Sequence, residues 1–270
     1  MDLSHSKYLI ETPNLSRVTN LERLVLEDCV SLCKVHPSLR DLKNLKFLSL
    51  KNCKMLKSLP SGPYDLKSLA TLILSGCSKF EQFPENFGYL EMLKKLYADG
   101  TALRELPSSL SSLRNLEILS FVGCKGPPSA SWLFPRRSSN STGFILHNLS
   151  GLCSLRKLDL SDCNLSDETN LSCLVYLSSL KDLYLCENNF VTLPNLSRLS
   201  RLERFRSVGK LHKTSRTARS PIKHWSVGCK KLHIIEKCPV TPKESRNQGK
   251  FPLYPIYHNF NYRKCLFCIS

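Results

Sequence analysis

Leucine recurs along the first three quarters of the chain in a fixed string, in which apolar residues follow a leucine three and five positions later, except that the last string ends at Ser207. The eight strings begin at Leu21, Leu45, Leu69, Leu93, Leu116, Leu155, Leu180 and Leu202. The last two positions of a string are two residues apart, which is the period of a β-strand with one buried face. One short strand cannot bury its own face, so the pattern predicts repeats that stack into a parallel sheet.

A second marker stands three residues after the end of seven strings and is cysteine, threonine or asparagine. These positions are Cys29, Cys53, Cys77, Thr101, Cys124, Cys163 and Asn188. We predict that their side chains form a turn ladder, in which each fills the turn after a strand and bonds to backbone carbonyls. String and marker together match the leucine-rich repeat pattern. The predicted fold class is therefore an α/β solenoid, a leucine-rich repeat horseshoe with a parallel concave β-sheet and irregular or short helical convex segments.

Charge and leucine content divide the chain near residue 202. The net charge is +17, but residues 203–270 hold 15 basic and 3 acidic residues, and only 4 leucines against 45 in residues 1–202. We predict a repeat array of about 8 to 9 repeats over 1–207 and a basic, mostly irregular tail over 208–270, disordered or weakly folded. The wide spacing between the strings at Leu116 and Leu155 predicts a convex insertion over 125–143, either a flexible loop or a docking loop anchored by Trp132.

Side chains between and after the strand leucines are predicted to point away from the core, onto the concave face. Apolar or aromatic groups at Phe47, Ile73, Tyr97, Ile118 and Tyr184 suit contact with a protein, although ordinary strand propensity would place them there too. The candidate protein-binding face comprises Arg23, Val25, Glu27, Phe47, Ser49, Lys51, Thr71, Ile73, Lys95, Tyr97, Asp99, Ile118, Ser120, Lys157, Asp159, Asp182, Tyr184, Arg204 and Arg206.

The thirteen cysteines allow a buried thiol ladder, a disulfide framework or a metal site. Five of them occupy marker positions, which favours the ladder. A zinc site could be assembled on paper from Cys229, His233, Cys238, His224 and the pair Cys265 and Cys268, but their spacing matches no strong template. We expect no metal, no cofactor, no catalytic residue and no small-molecule substrate, because acids and histidines are scattered and no phosphate-binding G-x-x-x-x-G-K-[ST] motif occurs.

The segments at 53–60, 75–84, 99–107, 123–129 and 158–165 (for example Cys-Lys-x-Leu-x-x-Leu-Pro) resemble plant disease-resistance receptors of the TIR-NB-ARC-LRR group, of the tobacco mosaic virus resistance protein N type. The resemblance covers about residues 1–205. It implies a module that contributes to pathogen-effector recognition and autoinhibition in the defence response. The implied partners are a pathogen effector or a guarded host protein, and the TIR and NB-ARC modules of a full-length receptor. Neither module's own site can be carried over to residues of this chain.

The location that follows is the cytoplasm or the nucleus, because no signal peptide is visible and no apolar run approaches the roughly 20 residues that a bilayer needs. We expect no membrane partner and no nucleic-acid partner. The tail departs from the family pattern, which suggests a truncated form whose end is frameshifted or mis-spliced. Three alternatives stay open at this point: an extracellular receptor-like repeat domain, a generic intracellular signalling scaffold, and a nucleic-acid binder that works through the tail.

Overall fold

The computed structural model describes residues 1–62, 64–125, 149–167, 169–190 and 196–207, together with the backbone of 233–234. Most of the predicted insertion at 125–143, with Trp132, lies outside the described residues, as does nearly all of the predicted tail. The chain divides into two units, Met1–Cys238 and Pro239–Ser270, and the described residues all belong to the first.

One parallel sheet of nine strands contains the strands in chain order. The strands are β1 (Arg23–Val25), β2 (Phe47–Ser49), β3 (Thr71–Ile73), β4 (Lys95–Tyr97), β5 (Ile118–Ser120), β6 (Lys157–Asp159), β7 (Asp182–Tyr184), β8 (Arg204–Arg206) and β9 (His233–Ile234). Each of β1 to β8 is centred on the second apolar position of a string, and the central residues pair in register from strand to strand, as in Leu24 with Leu48 and Leu48 with Leu72. The predicted stacking of one strand per repeat into a parallel sheet is confirmed.

The core is a continuous column of leucine behind this sheet. The central strand residues from Leu24 to Phe205 are all at most 3% exposed, and the leucines that open and close the strings are buried as well, except the half-buried Leu21. Phenylalanine widens the column in one repeat, where the rings of Phe80, Phe83 and Phe87 pack with centroid distances of 5.2 and 4.3 Å. A repeat therefore buries its strand only by contact with both neighbours, as a solenoid requires.

Four single-turn 3₁₀-helices connect strands on the side opposite the sheet. They are η1 (Pro37–Asp41), η2 (Glu85–Tyr89), η3 (Ser108–Ser112) and η4 (Ser172–Tyr176). A buried residue inside each helix and the buried residue just after its end stand three apart, such as Leu39 and Leu42 or Leu110 and Leu113, which suits a helix of three residues per turn. Proline caps or opens three of the four helices, since its fixed φ ends the extended segment that comes before. No helix in these described segments is long and apolar enough to cross a membrane.

The residue immediately before each marker adopts a left-handed backbone conformation. These residues are Asp28, Asn52, Gly76, Gly100, Gly123, Asp162 and Glu187, with φ between +53° and +81°. Glycine, asparagine and aspartate tolerate this region best, and they fill six of the seven positions. This signal is visible in the sequence as a small or short polar residue before every marker except Asn188.

Replacing Gly100 with alanine is expected to lower the free energy of unfolding by about 1 kcal/mol. A methyl group there would meet nothing within 4 Å, so the loss comes from the backbone at φ +63° and not from a clash. Urea unfolding measures it. Gly100→Asn is the matched variant, because the equivalent position two repeats earlier holds Asn52 at φ +59°. This variant should retain most of the stability. Equal losses in both variants would contradict the backbone explanation.

Candidate protein-binding face

The outward positions of β1 to β8 place two rows of side chains across the sheet, one at the first and one at the third residue of each strand. Twelve of the predicted face residues are exposed or half-buried there. They are Arg23, Phe47, Thr71, Ile73, Lys95, Tyr97, Ile118, Lys157, Asp159, Tyr184, Arg204 and Arg206. The parallel register brings them together in the order predicted from the repeat, so neighbours in a row belong to neighbouring strands.

Cations stack on aromatic rings at two places on this face. The guanidinium carbon of Arg23 lies 3.7 Å from the centroid of the Phe47 ring. On the later strands, Tyr184 lies between two cations, with Lys157 Nζ at 5.1 Å and the Arg206 guanidinium at 5.5 Å from the ring centroid. Such pairs hold the rings in place and present a flat apolar surface with positive charge beside it.

Tyr97 lies at the middle of the third-residue row, between Ile73 on β3 and Ser120 on β5. Burial raises the pKa of the Tyr97 phenol, and the nearby Asp99 carboxylate raises it further. Burial likewise raises the pKa of Tyr184. Both phenols are therefore neutral hydrogen-bond donors with a partly covered ring, which is a favourable combination for protein contact.

Four predicted face residues contribute no exposed surface, because each is less than a tenth exposed. They are Val25, Ser49, Ser120 and Asp182. The Asp182 carboxylate is covered by the Arg204 guanidinium, which bonds to both of its oxygens, with Nη2 to Oδ2 at 2.6 Å. This charge-assisted pair ties β7 to β8 and raises the pKa of Arg204.

Acids just beyond the strands are used to bind neighbouring repeats. Asp99 accepts hydrogen bonds from the hydroxyls of Ser75 and Ser120 at 3.0 and 2.5 Å and from the backbone N–H of Val122 at 2.9 Å. Glu27 accepts one from Ser49 Oγ at 2.7 Å. These predicted face residues therefore support the sheet edge. Asp159 is mostly covered as well, and burial raises its pKa.

The seven ladder side chains are all at most 5% exposed and line the turns beneath the strand ends. Each cysteine of the ladder donates a hydrogen bond across to the preceding repeat, to the carbonyl at the position that closes its string. The pairs are Cys29–Leu3, Cys53–Leu26, Cys77–Leu50, Cys124–Ala98 and Cys163–Phe121, with sulfur-to-oxygen distances of 3.0–3.2 Å. The ladder thus joins consecutive repeats in addition to filling each turn.

Threonine and asparagine at ladder positions form different hydrogen bonds to the turn backbone than cysteine does. Thr101 donates to the carbonyl of Ala98 in its own repeat at 2.8 Å. Asn188 uses its whole amide: Nδ2 donates to the carbonyls of Leu160, Leu185 and Cys186 at 2.8–3.3 Å. Its oxygen accepts the backbone N–H groups of the two residues flanking Asn164, which are Cys163 and Leu165, at 3.0 and 3.1 Å.

Burial keeps the ladder thiols protonated. It raises the pKa of Cys77 to about 12 and that of Cys124 to about 11, and it raises the pKa of Cys53 and Cys163 too. Eight cysteines within the described segments are free, and these segments contain no group of three or more His, Cys, Asp or Glu arranged to hold a metal ion. The candidate zinc ligands between His224 and Cys268 lie outside the side chains that the structure describes.

Comparison with known families detects the repeats directly. The family described as "Leucine-rich repeat region" matches residues 3–131, and "Leucine Rich Repeat" matches residues 154–175. A curated relative, "Probable disease resistance protein RPP1" of Arabidopsis thaliana, is 56% identical over 39 residues. That match covers 14% of this chain and 3% of the relative, so the chain aligns with only a small part of the relative's length.

Three solved structures also align with the chain, each at 20% sequence identity. Internalin C2 from Listeria monocytogenes has a TM-score of 0.46 and covers 63% of this chain and 64% of its own. The plant peptide hormone receptor RGFR1 in complex with RGF2 has a TM-score of 0.48, with 71% and 29% covered. The leucine-rich repeat domain of the type III effector XopL has a TM-score of 0.49, with 76% and 66% covered.

The family matches thus fall on the strings and markers that form one strand and one filled turn per repeat. The chain carries leucine-rich repeats, and its fold is a leucine-rich repeat solenoid with a parallel β-sheet.

Proposed function

We propose that the chain is the protein-interaction module of a plant intracellular immune receptor, where it contributes to pathogen-effector recognition and to autoinhibition. The observation that carries the proposal is the row of ordered aromatic and cationic side chains on the outward face of a rigid sheet. The 56% identity to a stretch of the Arabidopsis disease resistance protein supports the plant immune context.

The chemistry of this face suits a protein partner. Its rings are fixed in advance by stacked cations, at Phe47 with Arg23 and at Tyr184 with Lys157 and Arg206. Little side-chain entropy is then lost when a partner covers them, and aromatic and arginine side chains supply most of the binding energy in protein interfaces. The module acts by binding and not by catalysis.

The partners in this proposal are of two kinds. One is a pathogen effector or a guarded host protein, and the other is the TIR and NB-ARC part of a receptor, which the array restrains until the first partner arrives. Both are met in the cytoplasm or the nucleus. No small molecule, cofactor or membrane takes part.

Alanine at both Tyr97 and Tyr184 is expected to weaken partner binding by about tenfold or more, while the unfolding midpoint changes little. Both rings are half-buried on the outward face, so their removal takes away contact area without opening the core. The measurement is co-precipitation from leaves that express the full chain with the TIR and NB-ARC modules of a plant immune receptor.

The matched control replaces Tyr89 and Tyr176, which lie on η2 and η4 and are 67% and 59% exposed. That variant should associate like the unaltered chain. Equal weakening in both variants would remove the outward face from the proposal. An unaltered chain that does not associate with these modules would favour a generic repeat scaffold.

A further inference from the structure

A polar groove of about 440 Å³ runs along the edge of the sheet where β4 to β8 begin, away from the outward face described above. The lining residues occupy two places relative to the strands. One place is the residue before the strand, which is Lys94, Glu117, Arg156 or Lys181. The other is the third residue before it, as at Asn115 and Arg201. From this geometry we propose that the groove binds an extended acidic peptide segment of a protein partner.

The charge of the groove is positive and largely uncompensated. Four cations face one carboxylate, and only Lys181 is ion-paired, with Glu203 at 2.7 Å. Lys94, Arg156 and Arg201 are exposed and form no ion pair among the described residues. The same edge differs in the first repeats, where Lys46 is paired with Glu22 at 2.8 Å and alanine follows at Ala70. The uncompensated charge is therefore a local property of β4 to β8.

The cations are held at regular spacing because the backbone beneath them is fully bonded. The carbonyl of Lys94 accepts the N–H groups of Glu117 and Ile118 at 2.8 and 3.0 Å, and the carbonyl of Arg156 accepts two N–H groups in the same way. No backbone group at these positions is left to pair with a further strand, so recognition must use side chains. Neighbouring strands lie about 4.8 Å apart, so Lys94 and Arg156, two strands apart, are separated by about 10 Å at their backbone.

That spacing selects the ligand. In an extended segment of the polyproline II type, which has three residues per turn and rises about 3.1 Å per residue, acidic side chains three residues apart lie on the same side and about 9 Å apart. The Glu117 carboxylate lies between the two cations and repels a negative charge at the intervening point. A spaced acidic peptide avoids this repulsion, whereas a continuous row of phosphates does not. The lining is entirely polar, and single-stranded nucleic acid is bound by combining cations with stacking aromatic rings.

The test uses the full chain and a short synthetic peptide with glutamate at every third position and a photo-crosslinking group. Mass spectrometry of the crosslinked product separates attachment beside Lys94 and Arg156 from attachment to the basic segment 208–270. We expect attachment in the groove, and Lys94→Glu with Arg156→Glu to reduce it by about tenfold or more. The matched control, Lys54→Glu with Lys57→Glu, makes the same charge change at exposed lysines away from the strand starts and should leave it unchanged.

Three results would overturn the proposal: equal attachment of a peptide with glutamine in place of glutamate, equal losses in both double variants, or tighter binding of a single-stranded RNA that displaces the peptide. Glu117→Gln adds a check in the opposite direction, because removal of the intervening carboxylate should strengthen peptide binding severalfold and reduce its preference for spaced over contiguous glutamates. The result is independent of the outward face, since Tyr97 and Tyr184 do not line the groove.

Discussion

Replacing Asn188 with alanine is expected to lower the free energy of unfolding by about 3–5 kcal/mol. The Asn188 side chain is 1% exposed and satisfies five backbone groups of two adjacent repeats. Alanine would leave the N–H groups of Cys163 and Leu165 and the carbonyl of Leu160 without that partner, in a place that water does not reach. Urea unfolding followed by circular dichroism measures the loss.

Cys53→Ala is the matched control for this prediction. The Cys53 thiol fills the equivalent turn but makes one hydrogen bond, a weak one, to the carbonyl of Leu26 at 3.1 Å. Its replacement should cost only about 1–2 kcal/mol, mostly through the cavity that the sulfur leaves. The loss of stability in Asn188→Cys should lie between those of the two alanine variants. A thiol can replace one of the hydrogen bonds that Asn188 donates, but not the amide oxygen that accepts two N–H groups. An Asn188→Ala variant no less stable than Cys53→Ala would show that the amide network contributes little.

The leucine strings and markers were enough to predict the sheet. Their period places Leu24, Leu48 and Leu72 at strand centres, and the structure pairs these residues in register. The prediction succeeded because each apolar position has one place to be buried, in contact with the same position one repeat away. For the convex side the sequence left irregular and short helical segments open, and the 3₁₀ type follows only from the packing of pairs such as Phe87 and Leu90.

The exposed residues of the outward face were less predictable, because the alternation of side chains along a strand predicts which way a side chain points and not how exposed it is. Ser49 and Ser120 point outward as expected, yet both are covered, since each hydroxyl donates to an acid on the adjacent turn. Asp182 is covered by the arginine one strand later, and this depends on a pair of side chains rather than on a period. Burial of polar residues on a half-exposed sheet is thus decided by their partners, which the repeat pattern does not specify.

The strand-start groove was missed for a related reason. Its residues fall one position before the outward rows, where the sequence shows Lys94, Glu117 and Arg156 with no apparent order of charge. The two cations matter because, among the described residues, no carboxylate on a neighbouring strand is close enough to form an ion pair with Lys94 or Arg156. The comparison with the pair formed by Glu22 and Lys46 could have been made from the sequence, because the two residues occupy equivalent positions in adjacent strings.

Alkaline pH is expected to destabilise the array by an amount on the order of 5 kcal/mol between pH 7 and pH 10. All five ladder thiols, those of Cys29, Cys53, Cys77, Cys124 and Cys163, have raised pKa values in the folded chain, to about 12 for Cys77 and about 11 for Cys124. In the unfolded chain each loses its proton near its ordinary pKa of 9.0. Above that pH the unfolded state binds fewer protons than the folded state, so stability falls as pH rises.

The pH range of this loss follows from the direction of the pKa shifts. Stability from the thiols is complete below pH 9 and decreases by about 1.4 kcal/mol for each thiol and each further pH unit, until the folded-state pKa is reached. Urea unfolding at several pH values between 7 and 10, in reducing buffer, measures this slope. Burial also raises the pKa of Tyr64, which adds to the loss in the same direction and makes a control necessary.

That control is the double variant Cys77→Thr with Cys124→Thr. Threonine already serves this position at Thr101, where its hydroxyl donates to the carbonyl of Ala98, and it does not titrate in this range. If the thiols are responsible, the variant should lose stability between pH 9 and pH 10 clearly less steeply than the unaltered chain, since two of the five ladder thiols with raised pKa values are gone. An unchanged slope would assign the alkaline loss to buried tyrosine such as Tyr64 instead. The ladder would then hold the repeats together without making their stability depend on pH.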